Sequence, residues 1–127
     1  MCPGLGERDA AAAVTGQAIW IAFLISVVVG IAGAKAKCEY AVKELGYDAC
    51  VSHYDDDMAS QLAAACPDGI DVYFENVGGK VLEAVLPLMN PFGRIPVCGL
   101  ISMYNATEPP TMANNMRFVL VKRLRIQ

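Results

Sequence analysis

From Gly69 to Asn105 the chain reads GIDVYFENVGGKVLEAVLPLMNPFGRIPVCGLISMYN, a stretch that admits few folds. Ile70-Asp71-Val72-Tyr73-Phe74 is rich in β-branched and aromatic residues, which predicts a short buried strand. The strand ends near Asn76 and turns on Gly78-Gly79, where the missing Cβ lets backbone approach a ligand closely. Val81, Leu82, Val85 and Leu86 recur at helical spacing, and Pro87 and Pro91 close that helix. Gly93 to Val97 is the next strand, and Cys98-Gly99 opens a loop reaching Tyr104-Asn105. In this order the elements make a βαβ crossover with a ligand-facing edge.

The alternation extends in both directions. Upstream, Ala34 to Leu45 is a helix whose face is marked by Cys38, Val42 and Leu45, with Gly46 suited to the C′ position. Asp48 to Ser52 is a short strand. Asp55-Asp56-Asp57 sets carboxylates at the start of a helix over Met58 to Ala65, where the macrodipole favours them. Pro67-Asp68-Gly69 is a turn. Downstream, Glu108-Pro109-Pro110 is a loop, Met112 to Val121 a helix, and Leu124 to Gln127 a strand. Such alternation predicts an α/β fold with a parallel sheet and right-handed crossovers.

Ala10 to Gly33 supports two readings. The run carries no charge, and its length and hydropathy qualify it as a membrane span, with Lys35 and Lys37 just beyond. Glu7 and Asp9 stand where a signal peptide needs basic residues. The soluble alternative divides the run into a buried helix (Ala10 to Leu24) and a strand (Val27 to Ala32). Strands covered on both faces also read as unbroken apolar runs. The α/β pattern that follows favours the soluble reading.

At 127 residues and 55% hydrophobic content, the chain suffices for one domain with a core. A net charge of -3 supplies no basic field, so nucleic acid is not an expected partner. Cys2, Cys38, Cys50, Cys66 and Cys98 stand far apart, and His53 is the single histidine. Neither a zinc site nor a disulfide framework is expected, and free thiols fit a reducing cytosol.

In open α/β sheets, ligands bind beyond the carboxyl ends of the strands. Four segments fall there: Gly30 to Lys37, Ser52-His53-Tyr54, Asn76 with Gly78-Gly79, and Cys98 to Tyr104. The first holds no acidic residue for a ribose diol and offers Lys35 and Lys37, which suit a 2′-phosphate and so NADP over NAD. The plainer alternative is solvated charge at a helix start. Gly78-Gly79 equally suits a bare strand-to-helix turn. His53 is a candidate base with Asp55 near, or an ordinary loop histidine. Cys98 is a candidate nucleophile or a small hydrophobe, and Tyr104 a ligand-directed donor or a packing residue. Gly4-Leu5-Gly6 lacks the preceding strand and third glycine of a dinucleotide fingerprint. Asn105-Ala106-Thr107 matches a glycosylation sequon, which carries no weight without secretion.

VVVGIAGAKAKCEYAVKELGYDAC, CPDGIDVYFENVGGKVLEAVLPLMNPFGRIPVCGLISMYNATE and KRLRIQ together resemble the zinc-independent medium-chain dehydrogenase/reductases. Within that family the chain is similar to the NADP-dependent 2-alkenal, leukotriene, prostaglandin and curcumin reductases, over about Val27 to Gln127. The resemblance implies an incomplete Rossmann-type, doubly wound parallel sheet and a small-molecule enal or enone substrate. Hydride from NADPH would reduce the carbon–carbon double bond next to the carbonyl. By the same resemblance Lys37 pairs with the 2′-phosphate, and His53, with Tyr54 adjacent, falls where many relatives place an adenine-side tyrosine. Asn76 hydrogen-bonds the cofactor. Cys98, Gly99, Leu100, Ile101, Ser102, Met103 and Tyr104 wrap its nicotinamide side, with Tyr104 as the catalytic candidate.

Two departures accompany the likeness. The family's pyrophosphate loop should lie before residue 27, where Ala11-Ala12-Ala13-Val14-Thr15-Gly16-Gln17 lacks its glycine spacing. Nothing in the sequence matches the family's catalytic domain. The expectation is therefore an aberrant apolar segment over 1–26 and a partial NADP-binding domain over 27–127, an internal fragment. Such a chain should bind NADPH weakly or not at all and reduce no enone by itself. The alternative is a catalytically inert Rossmann-like fragment, membrane-associated through residues 10–33. A cytoplasmic location is expected, with the membrane as its alternative, and a homo-oligomer is compatible with everything above.

Overall fold

A computed structural model describes residues 26–107 and 114–127. The chain divides into two compact units, one up to Asp68 and one from Gly69 onward.

In the first unit, β1 (Val29–Ala32) pairs in parallel with β2 (Ala49–Ser52), Val29 opposite Ala49 and Ala32 opposite Ser52. Helix α1 (Lys35–Lys43) crosses between them and packs on both strands. Its buried residues are Cys38 and Ala41, whereas Val42 and Leu45, expected on that face, are 40% and 49% exposed. The crossover explains the difference: an i, i+3 pair of small side chains lets the helix lie close on the strands, and bulkier side chains move to the rim. Gly46 has φ +74, so the left-handed glycine is present, one residue beyond the C′ place because Glu44 is the cap. Helix α2 (Met58–Ala65) packs on β2 and buries Met58 and Leu62. The carboxylates before it are engaged at its first turn, since the Gln61 amide donates to Asp57 Oδ1 at 2.7 Å and Asp55 Oδ2 at 3.4 Å.

Val29–Ala32 is a strand, so the far end of the apolar run does not continue a single long helix. Residues 10–25 lie outside the described ones. Among the described residues, no helix is long and apolar enough to cross a membrane.

In the second unit, β3 (Ile70–Val72), β4 (Met89–Ile95) and β5 (Arg125–Ile126) lie side by side in that order, all parallel. Helix α3 (Gly79–Val85) and a 3-10 turn at Leu86–Leu88 connect β3 to β4, and α4 (Arg117–Val121) precedes β5. Of the helix expected over Met112 to Val121, residues 112 and 113 lie outside the described ones, and the remainder is a 3-10 turn at Asn114–Met116 running into α4. The core is Val81, Val85, Leu86, Met89, Ile95 and Leu124.

β3 ends at Val72, short of the expected Asn76, and β4 begins at Met89, not Gly93, and contains Pro91. The register accounts for the course of β4. Ile70 pairs with Met89 and Val72 with Arg94, so Asn90 to Gly93 bulge out of the ladder. There Pro91 is exposed and sacrifices no ladder hydrogen bond. Phe92 takes φ +64, and its N–H donates to the Lys122 carbonyl at 2.7 Å. The proline marks a bulge here, not the end of an element.

Ile95 is 1% exposed at the centre of this unit. Ile95→Val removes one methylene and should cost about 0.5–1.5 kcal/mol. A drop in urea midpoint at unchanged m-value checks this.

Candidate functional site

Because β1 and β2 run parallel, the residues after each lie at the same edge of the first unit. The His53 N–H donates to the Ala32 carbonyl at 2.9 Å, tying the two strand ends together. Gly33 comes close to the same residues: a Cβ there would stand 3.3 Å from His53 Nε2 and 3.4 Å from the Tyr54 ring. His53 is half-buried against the exposed Tyr54, with ring centroids 4.4 Å apart. Helix α1 starts at this edge with no side-chain cap and no acidic residue in its first turn. Lys35 and Lys37 are exposed, and neither has an ion-pair partner among the described residues. Free amide groups and two cations at a helix start form an anion-accepting surface.

Cys50 lies on β2 behind that edge, where burial and a hydrogen bond with Cys38 push its thiol up to about 12. A thiol raised from its ordinary 9 lends the folded state stability that is complete below pH 9 and is lost as pH rises toward 12. The first unit should therefore weaken over that alkaline window, and Cys50→Ala should flatten the decline. Thermal melts from about pH 8 to 11 measure it.

In the second unit the strands end in two loops that are hydrogen-bonded to each other. The Glu75 carbonyl accepts the N–H groups of Cys98 (2.9 Å) and Gly99 (3.1 Å). The Asn76 carbonyl accepts that of Ile101 (3.0 Å), and the Val77 carbonyl accepts both the N–H and the hydroxyl of Ser102. Gly78 and Gly79 have φ of +75 and +53, and a Cβ on Gly78 would stand 3.2 Å from Leu100 Cδ2 and 3.3 Å from Ser102 Oγ. The glycines thus serve both a left-handed turn and the close approach of the second loop. Ile101–Met103 forms a 3-10 turn, after which Tyr104 folds back so that its hydroxyl accepts the Leu100 N–H at 3.4 Å. Gly99 is needed beneath that phenol, since a Cβ would lie 2.9 Å from its oxygen.

Asn76, Cys98, Ile101, Ser102 and Tyr104 are exposed on these loops, while Gly99, Leu100 and Met103 are half-buried. The Asn76 side chain has no hydrogen bond among the described residues, so both ends of its amide are free for a ligand. The structure thus brings Asn76 and Cys98–Tyr104 together in one unit, and His53 to the edge where α1 and its Lys37 begin in the other.

Sequence reasoning missed what holds the loop pair. Glu75 is 1% exposed, and its Oε1 accepts the N–H groups of Val77 (2.6 Å) and Gly78 (2.8 Å) and the hydroxyl of Tyr73 (3.1 Å). Burial, followed by the nearby Glu75 carboxylate, raises the Tyr73 phenol well above its ordinary value. A carboxylate three residues before a glycine pair was the available signal.

A family model described as zinc-binding dehydrogenase matches residues 17–127. The chain belongs to that family. It is 58% identical over 104 residues to the NADPH-dependent curcumin reductase of Escherichia coli (strain K12), covering 79% of itself and 30% of that protein. It is 40% identical to the NADP(+)-dependent 2-alkenal reductase of Nicotiana tabacum, covering 98% of itself and 38% of the relative. Among solved structures it superposes on CurA from Vibrio vulnificus in complex with NADPH with a TM-score of 0.77 and 48% identity, covering 93% of this chain and 37% of that one. The chain thus spans about a third of the length of these relatives. Among its described residues no group of three or more His, Cys, Asp and Glu is placed to hold a metal ion, so the zinc of the family's description finds no ligand set there.

Proposed function

We propose that residues 27–127 form the cofactor-binding part of an NADP-dependent oxidoreductase that reduces the C=C bond of α,β-unsaturated aldehydes or ketones. The observation that carries this reading is the hydrogen-bonded loop pair 75–79 and 98–104, with Asn76 exposed upon it and its side-chain amide without a hydrogen bond among the described residues. The likeness to curcumin and 2-alkenal reductases supports the choice of reaction. When bound, NADPH would supply the hydride for the substrate's β-carbon, with a proton required at the α-carbon to complete the reduction. The chain's own residues bind and orient. Lys37 offers a cation to a 2′-phosphate, His53 and Tyr54 offer ring faces to adenine, and the Asn76 amide offers a donor and an acceptor to the nicotinamide end. Cys98 to Tyr104 shapes the wall on that side, and the Tyr104 O–H, whose oxygen accepts the Leu100 N–H, offers a hydrogen bond to a substrate oxygen.

A cytoplasmic location completes the reading. The free thiols of Cys38, Cys50, Cys66 and Cys98 suit a reducing compartment. Titration of the chain with NADPH into the millimolar range, followed by NMR, tests the assignment. Shifts at Asn76 and residues 98–104 are expected; saturation with NADPH that leaves these resonances unmoved would reject it. Retention in carbonate-washed membranes would favour the membrane-associated alternative.

A further inference from the structure

The Glu75 carboxylate is only half satisfied. Its Oε1 receives three hydrogen bonds, from Val77, Gly78 and Tyr73. Its Oε2 is equally buried and has no hydrogen-bond partner, and among the described residues no cation pairs with it. Neutral dipoles from one side reduce the field of a buried carboxylate without cancelling it. The same residue carries the second loop on its backbone, through the Cys98 and Gly99 amides. A partly uncompensated carboxylate is therefore carried by the same residue whose backbone holds the start of the segment Cys98–Tyr104.

A nicotinamide ring is a cation when oxidised and neutral when reduced, so an anion behind its binding wall distinguishes the two forms. We propose that Glu75, besides positioning the loops, favours the oxidised over the reduced nicotinamide through its charge and so sets the ratio of the two affinities. This rests on the reading that Cys98–Tyr104 receives the nicotinamide. The two forms share every group except the ring, which differs in charge and in planarity; a neutral scaffold responds to its shape alone, and only the charge responds to Glu75→Gln.

A paired titration of the full 127-residue chain with NADPH and NADP+ tests this, by calorimetry or NMR into the millimolar range. Glu75→Gln keeps the shape and removes the charge. It should raise the ratio Kd(NADP+)/Kd(NADPH) by about 4- to 15-fold, the effect of a unit charge at the intermediate dielectric of a protein edge. Tyr73→Phe keeps the charge and removes one donor that offsets it. It should lower the ratio by about twofold, and it decides the matter if the glutamine variant does not fold. Equal weakening of both nucleotides, or an unmoved ratio in the phenylalanine variant, overturns the inference while leaving the proposed function standing. Nucleotide binding by the wild-type chain that leaves Asn76 and residues 98–104 unmoved overturns both.

Discussion

Glu75→Ala is expected to destabilise the unit from Gly69 onward by about 2–5 kcal/mol. The side chain is almost fully buried and serves as acceptor for two backbone amides and one phenol. Truncation leaves those donors without an acceptor, Gly78 in a buried place and Val77 and Tyr73 in half-buried ones, at about 1–3 kcal/mol for each buried group left unpaired. Relief of the carboxylate's own desolvation offsets part of that sum. The loss should be local in origin: the Val77 and Gly78 amides should lose hydrogen-exchange protection first, followed by those of Cys98 and Gly99, which hang on the same turn. Denaturant unfolding gives the total, and exchange gives the order. A cost below about 1 kcal/mol would mean that Glu75 does not hold the loops.

How legible all this was depends on what carried each feature. The α/β alternation was readable because it rests on periodicity. Strands at Val29–Ala32, Ala49–Ser52 and Ile70–Val72 and helices at Lys35–Lys43 and Met58–Ala65 lie where apolar spacing and turn residues predict them. Glycines at 46, 78 and 79 were also readable, since left-handed backbone selects them. What escaped was whatever depends on a partner distant in sequence. Pro91 reads as a break until β3 shows that the ladder skips it. Val42 and Leu45 read as core until the small pair Cys38 and Ala41 is seen against the strands. Glu75, an acid just beyond β3, carries no period at all. Its burial is visible only through the three donors that converge on it.

Lys37→Ala is the second large effect. Lys37 stands in the first turn of α1, exposed and without an ion-pair partner among the described residues, so nothing in the fold depends on its charge. Stability should change little. If it meets the 2′-phosphate, its loss removes a charge-assisted contact worth about 1.5–3 kcal/mol, or roughly 10- to 150-fold in affinity. The loss should fall on NADPH alone, because NADH presents no phosphate there. A chimera in which this segment replaces its counterpart in the Escherichia coli curcumin reductase gives the affinity range needed to read so large a change. Lys37→Arg should keep most of the preference, since a guanidinium also pairs with phosphate.

The most direct measurement is the comparison of NADPH with NADH, on the chain itself and on the chimera before and after Lys37→Ala. Binding that favours NADPH by about tenfold or more, and a preference that collapses in the alanine variant with NADH affinity unchanged, is the predicted result. Equal affinity for the two nucleotides, or equal losses in the variant, would contradict it.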